Sequence, residues 1–130
     1  DVTVVCTGDK PRNNLGNWSV HRVQSSAQPG TRAYYTAKDI EMADRAEFGL
    51  MLWDAASTGT LSNVFELLSQ GKKSVVFVNR EARFQNVKQG EDILDLVSFM
   101  SDGARRAADK KIRLGEKVSQ FAGFQSRMAV

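Results

Sequence analysis

The chain has 130 residues, 42% hydrophobic and 25% charged, the composition of one ordinary globular domain. Eighteen Lys and Arg against fifteen Asp and Glu leave a charge of +3, too mild an excess to predict a nucleic-acid partner. The single cysteine, Cys6, excludes an internal disulfide, and no apolar run approaches the roughly 20 residues of a membrane-spanning helix, so a reducing cytoplasm is the expected compartment.

Residues 2–7 are short, β-branched and apolar, and predict a strand ended by Gly8. Residues 9–33 are rich in Asn, Gly, Ser, Pro and Arg and read as a long surface loop, with Trp18, Val20 and Val23 as anchors. Thr36 and Asp39 have capping-box spacing, which predicts a helix over 37–47 with Ile40 and Ala43 on one face. The near-continuous apolar run 48–53 suits a strand covered on both faces. A helix follows, with Leu61, Val64, Phe65 and Leu68 on one face and Gly71 as its stop. Residues 74–78 predict another strand, 79–89 a polar loop containing Phe84 and Val87, and 91–100 an amphipathic helix. From Gly103 onward the pattern is helical, with a break near Gly115. Ile112, Leu114, Val118, Phe121 and Phe124 form the apolar side of this tail, expected to dock on the sheet or on a second subunit. Its cations, among them Arg105, Lys110 and Arg127, are expected to be solvated. Strand–helix alternation of this kind is the α/β pattern, with parallel strands and right-handed crossovers.

The run from Phe48 to Val64 is the first candidate site. Asp54 closes its strand, where open α/β sheets bind ligands. Ser57, Thr58 and Thr60 offer hydroxyls, Gly59 allows close backbone approach, and the helix start adds a positive dipole end. Together they would hold a phosphate or the ribose beside it. The plainer alternative is an ordinary helix entry with Asp54 as its cap. No P-loop and no G-x-G-x-x-G run is present. In the long loop, Arg12 could meet a phosphate and Asn13 or Asn14 a base edge, against the alternative of a solvated loop pinned by Trp18. His21 is the only histidine, a general base or simply a surface residue. Cys6 is expected to be an inert core thiol, and Tyr34 and Tyr35 to stack on a base or pack at the sheet edge. No cluster of His, Cys and carboxylates has metal-ligand spacing, so no metal and no cofactor are expected.

Three motifs, Arg12-Asn13-Asn14-Leu15-Gly16-x-Trp18, Tyr35-x-Ala37-Lys38-Asp39 and Leu52-Trp53-Asp54-x-x-Ser57-x-Gly59-Thr60-Leu61-x-Asn63-Val64, resemble a group of small bacterial proteins of unknown function in the SLOG superfamily. That superfamily includes LOG-type phosphoribohydrolases and lies near the nucleoside deoxyribosyltransferases. The resemblance runs from about residue 2 to 87 and implies a Rossmann-like three-layer α/β/α fold with a parallel sheet over residues 1–101, followed by a helical tail at 102–130. Three strands make a thin sheet. The chain is therefore expected to hold the C-terminal half of the fold and to begin after strands carrying a Gly-Ser-Arg-like turn and a Gly-Asp-rich segment.

The resemblance implies nucleotide binding, with Ser57, Gly59 and Thr60 on phosphate or ribose, Asp54 orienting them, and Arg12 with Asn13 closing the pocket; Asn63 is a further ligand-binding candidate. Asn63 stands where the related enzymes keep a glutamate, and Ser57 where the deoxyribosyltransferases keep an aspartate. An amide cannot replace a carboxylate nucleophile or base. The expected function is therefore binding of a nucleotide or phosphorylated small molecule, by a protein that forms a homo-oligomer. The alternatives are an N-glycosidase or glycosyl transferase using Asp54, Asp39 or Glu66 as its carboxylate, and an oligomerisation module without a ligand.

Overall fold

The computed structural model describes residues 1–123, so Phe124 and Arg127 of the predicted tail lie outside the described residues. The chain is mixed α/β and divides into two compact units, Asp1–Ala46 and Glu47–Val130.

In the first unit, β1 (Thr3–Thr7) pairs in parallel with β2 (Ser19–Val23). The second strand falls inside the stretch expected to be loop throughout. Two local devices return the chain to it. The Asn14 side chain donates to the Trp18 carbonyl and accepts from the Trp18 N–H, both at 2.8 Å, closing the turn before β2. Gly8, at φ +83°, donates its N–H to the Val23 carbonyl at 3.1 Å, and a Cβ there would collide with the Tyr34 hydroxyl. Helix α1 (Arg32–Arg45) starts earlier than the Thr36–Asp39 spacing predicts. Its N-cap is Thr31, just after the left-handed Gly30, and the Thr31 hydroxyl accepts from the Tyr34 N–H at 3.3 Å. Thr36 lies inside the helix and donates back to the Ala33 carbonyl, so no capping box forms there. Of the expected buried face, Ala43 is buried and Ile40 is exposed.

In the second unit, β3 (Phe48–Trp53) and β4 (Lys73–Val78) are parallel, and β5 (Arg83–Val87) pairs antiparallel with β4. The strands thus form two sheets, not one, and the second sheet is mixed, not all parallel. β5 lies in the expected polar loop. A short 3₁₀ turn, Asn79–Glu81, followed by Ala82 at φ +49°, folds the chain back onto β4. Helix α2 (Thr58–Ser69) connects β3 to β4. It ends as a Schellman motif: the Lys72 N–H reaches the Leu67 carbonyl at 2.8 Å and the N–H of left-handed Gly71 reaches the Leu68 carbonyl at 2.9 Å.

One sheet face carries Met51, Trp53, Val76, Val78 and Val87 against Leu61 and Val64 of α2, with Ile93 and Leu96 of α3 (Asp92–Val97) in the same core. Gly49 lets α2 approach closely, since a Cβ there would meet Leu67 Cδ1 at 2.5 Å. Helix α4 (Asp102–Ile112) adds Ala108 and Ile112 to this core. The tail breaks at left-handed Arg113, two residues before the expected Gly115, and continues as α5 (Leu114–Val118) and a π-helical turn, Ser119–Gly123. Phe121 packs on Phe65 with ring centroids 5.3 Å apart, so the tail docks on the core of its own unit.

The expectation that residues 48–53 are covered on both faces does not hold. Phe48, Leu50 and Leu52 alternate with the half-buried Gly49 and Met51 and the buried Trp53 and are 68%, 68% and 77% exposed, and Phe84 of β5 is 64% exposed. The helices packed on this sheet lie on one face, so a run that is apolar at every position has only half of its side chains buried.

Ser74 is the one described residue with a buried side-chain polar atom lacking a hydrogen-bond partner. Ser74→Ala removes that desolvated hydroxyl with little change in shape. The urea midpoint is expected to rise, with a gain of about 1 kcal/mol in unfolding free energy.

Candidate functional site

The strand–turn–helix junction of the second unit is built from its backbone outward. Trp53, 2% exposed, ends β3, and its Nε1–H donates to the Ser57 carbonyl at 3.1 Å. That bond ties the far end of the turn to the sheet. The Asp54 carboxylate accepts from the Ser57 N–H at 2.6 Å and from the Ala56 N–H at 2.9 Å. Between them Ala55 is buried in the left-handed region at φ +63°, an unusual place for a residue with a Cβ. Ser57 is the N-cap of α2 and its side chain makes no capping bond; Asp54 holds the N–H groups of Ala56 and Ser57, which lie before the helix.

A cleft of about 540 Å³ opens beside this turn, lined by Leu52, Trp53, Asp54, Ser57, Thr60, Phe77 and Asn79. It lies at the carboxyl ends of the two parallel strands and at the amino end of α2. The structure therefore brings together Asp54, Ser57 and Thr60. Gly59 is exposed in the first helical turn, and a Cβ there would meet nothing within 4 Å. The protein itself imposes no steric need for glycine at that position. Asn63 is half-buried one turn further along α2 and does not line the cleft. Phe77 and Asn79 carry no signal in the sequence that marks them as site residues. Phe77 lies in β4 opposite Leu52, and Asn79 is the first residue after β4, as Asp54 is the first after β3.

The Ser57 and Ala56 N–H groups hold the Asp54 carboxyl below its ordinary pKa. Such a group stays ionised at neutral pH and accepts hydrogen bonds; it does not supply a proton. The lowered folded-state value stabilises the fold above the unfolded-state pKa, and that contribution disappears as pH falls through the folded value. Asp54→Asn is therefore expected to flatten the acid side of the stability–pH profile, measured by urea unfolding between about pH 2 and 6. An unchanged acid limb would show that the turn does not hold the charged form.

The other carboxylates proposed for bond cleavage are already engaged. Glu66 accepts from the Gln70 side chain at 3.0 Å, and Asp39, in the first unit, pairs with Lys38 at 2.9 Å.

Arg12 and Asn13 belong to the first unit and line a cleft of about 320 Å³ within it, together with Lys10, Tyr35 and Lys38. Asn14 is committed to Trp18 through both ends of its amide. His21 Nε2 lies 3.3 Å from Glu41 Oε1. Cys6 is buried, with its thiol 3.6 Å from the Gly8 carbonyl. Tyr34 and Tyr35 meet edge to face at 5.3 Å, and Tyr35 remains 45% exposed.

Among the described residues no group of three or more His, Cys, Asp or Glu side chains could hold a metal ion, and no helix is long and apolar enough to cross a membrane. No protein-family model, curated protein or solved structure matches the chain.

Proposed function

We propose that the chain binds a nucleotide or a nucleotide derivative at the Asp54–Thr60 turn, on a Rossmann-like α/β fold of the SLOG kind. The observation that carries this reading is the position of the cleft: it sits where two parallel strands end and α2 begins, the usual ligand crevice of open α/β sheets. The ionised Asp54 accepts hydrogen bonds from ribose hydroxyls. Ser57, Thr60 and the opening turn of α2 supply hydroxyls and N–H groups for a phosphate. Leu52 and the Phe77 ring offer an apolar surface on which a base can stack. With an amide at Asn63 and an acceptor-only carboxylate at Asp54, binding without glycosidic cleavage is the better fit.

A thermal-melt titration with nucleoside monophosphates tests this. Ligand at a hundred times its Kd stabilises by about 2.7 kcal/mol, a shift of several degrees in a domain of this size. Thr60→Val is expected to abolish the shift while leaving the ligand-free melting temperature nearly unchanged. No shift with any nucleotide at millimolar concentration would overturn the reading.

The exposed face formed by Phe48, Leu50, Leu52 and Phe84 favours a second property, self-association. These four side chains alone present on the order of 500 Å² of apolar surface, near the upper end for a monomer and more than half of what each partner buries in a standard interface. Sedimentation velocity is expected to show a concentration-dependent dimer that Leu50→Lys disperses. A monomer at all concentrations would rule this out.

A further inference from the structure

The first unit carries a cleft that the Asp54–Thr60 turn does not use. Its floor is β1, from Val4 to Thr7, and its wall is α1. Thr7 Oγ1 accepts from the Lys38 N–H at 3.1 Å, which fixes that helix to the strand end. Three cations line the cleft: Lys10 and Arg12 from the segment after β1, and Lys38 from α1. Lys38 is paired with Asp39. Among the described residues neither Lys10 nor Arg12 has a carboxylate within ion-pair distance. The Arg12 guanidinium lies over the Tyr35 ring, 5.8 Å from its centroid. Stacking of that kind holds the planar fork in place and leaves its N–H donors available, so less side-chain freedom is lost when an oxyanion arrives. The Asn13 amide adds a neutral donor at the same mouth. Cations gathered in a concave, partly apolar cleft attract one class of ligand, a compact polyanion. The volume, about 320 Å³, is at the small end for ligand sites, yet it exceeds what a bare phosphate fills.

We propose that this cleft binds the phosphate group of a phosphorylated small molecule, with Lys10 and Arg12 as its cationic partners. Arg12, oriented by Tyr35, makes the bidentate contact; Lys10 acts as a flanking point charge, and Lys38, paired with Asp39, lines the wall. The inference does not depend on the nucleotide reading, since it draws only on residues of the first unit.

Equilibrium dialysis of the full chain against radiolabelled inorganic pyrophosphate tests it, at about 0.15 M sodium chloride to screen non-specific attraction. The wild type is expected to bind saturably. Arg12→Gln, a change at an exposed side chain, is expected to weaken binding by about tenfold or more, and Lys10→Gln by several-fold. Thr60→Val, in the other unit, is expected to leave pyrophosphate binding as it was. Circular dichroism of each variant should match the wild type. The proposal is overturned by no saturable binding up to about 10 mM, or by an Arg12→Gln protein that keeps wild-type affinity. If Thr60→Val alone removes binding, the anion sits at the α2 turn, which supports the nucleotide reading and refutes this one.

Discussion

Trp53→Ala is expected to lower the unfolding free energy by about 3–5 kcal/mol, the range for deleting a large aromatic side chain from a core. Urea denaturation followed by circular dichroism measures it. The effect has two parts. Trp53 is the largest fully buried side chain described, packed with Val78, Leu61 and their neighbours, so alanine leaves a cavity that a sheet and helix already locked together cannot close. The indole N–H also holds the Ser57 carbonyl, and losing it frees the turn that carries Asp54 and the start of α2. Trp53→Phe separates the parts: it keeps much of the volume and loses the bond, and is expected to cost about 1–2 kcal/mol. The same variant should bind nucleotide more weakly than its stability loss explains, because the turn geometry depends on that bond. Equal costs for Trp53→Phe and Trp53→Ala would mean that packing contributes little there.

Ala55→Val is the second large effect, expected to destabilise by about 2–5 kcal/mol. The position is left-handed at φ +63°, where a Cβ already costs roughly 1–2 kcal/mol and a β-branched side chain costs more. It is also 3% exposed, so two added methyl groups have no space. Ala55→Gly provides the contrast. Glycine relieves the dihedral strain and gives up one buried methyl group, so its stability should fall within about 1 kcal/mol of the wild type. If valine were tolerated as well as glycine, the turn would not be fixed in the left-handed conformation. Strain of this kind gathers at ligand sites, and here it lies between the carboxylate and the helix start that the proposed ligand would bridge.

The elements legible in the sequence are those whose side chains repeat the demands of their surroundings. Residues 48–53 are apolar and residues 74–78 are rich in β-branched valine, and both lie in strands; the periodic face of Leu61, Val64 and Phe65 is the buried face of α2. Gly71 was readable as a stop because only its left-handed backbone completes the Schellman turn. Strands β2 and β5 were not readable. Ser-Val-His-Arg-Val and Arg-Phe-Gln-Asn-Val carry polar side chains at alternate or adjacent positions, and each becomes a strand through pairing with a stronger neighbour. The start of α1 was misplaced because two threonines compete for the cap, and the Pro29-Gly30 turn delivers the chain to Thr31 first. The exposure of Phe48, Leu50 and Leu52 was also hidden, since composition tells that a strand is apolar and not which of its faces meets a helix.

The candidate site divides in the same way. Asp54, Ser57 and Thr60 were legible because a strand, an acid and a hydroxyl-rich helix entry are contiguous in sequence. Phe77 and Asn79 join them only through the parallel register of β3 with β4, which pairs Leu52 with Phe77 and Trp53 with Val78. Arg12 and Asn13 are legible by their chemistry, but Lys38 and Tyr35 reach the same cleft through the packing of α1 on β1, a contact across more than twenty residues of chain.

Amide chemical-shift mapping during titration with a nucleoside monophosphate tests the central claim most directly. Saturable shifts at Ser57, Thr58, Gly59 and Thr60, with a common Kd and lost in Thr60→Val, are the predicted result. Shifts confined to other residues, or no saturable shift at millimolar ligand, would contradict a nucleotide site at the head of α2.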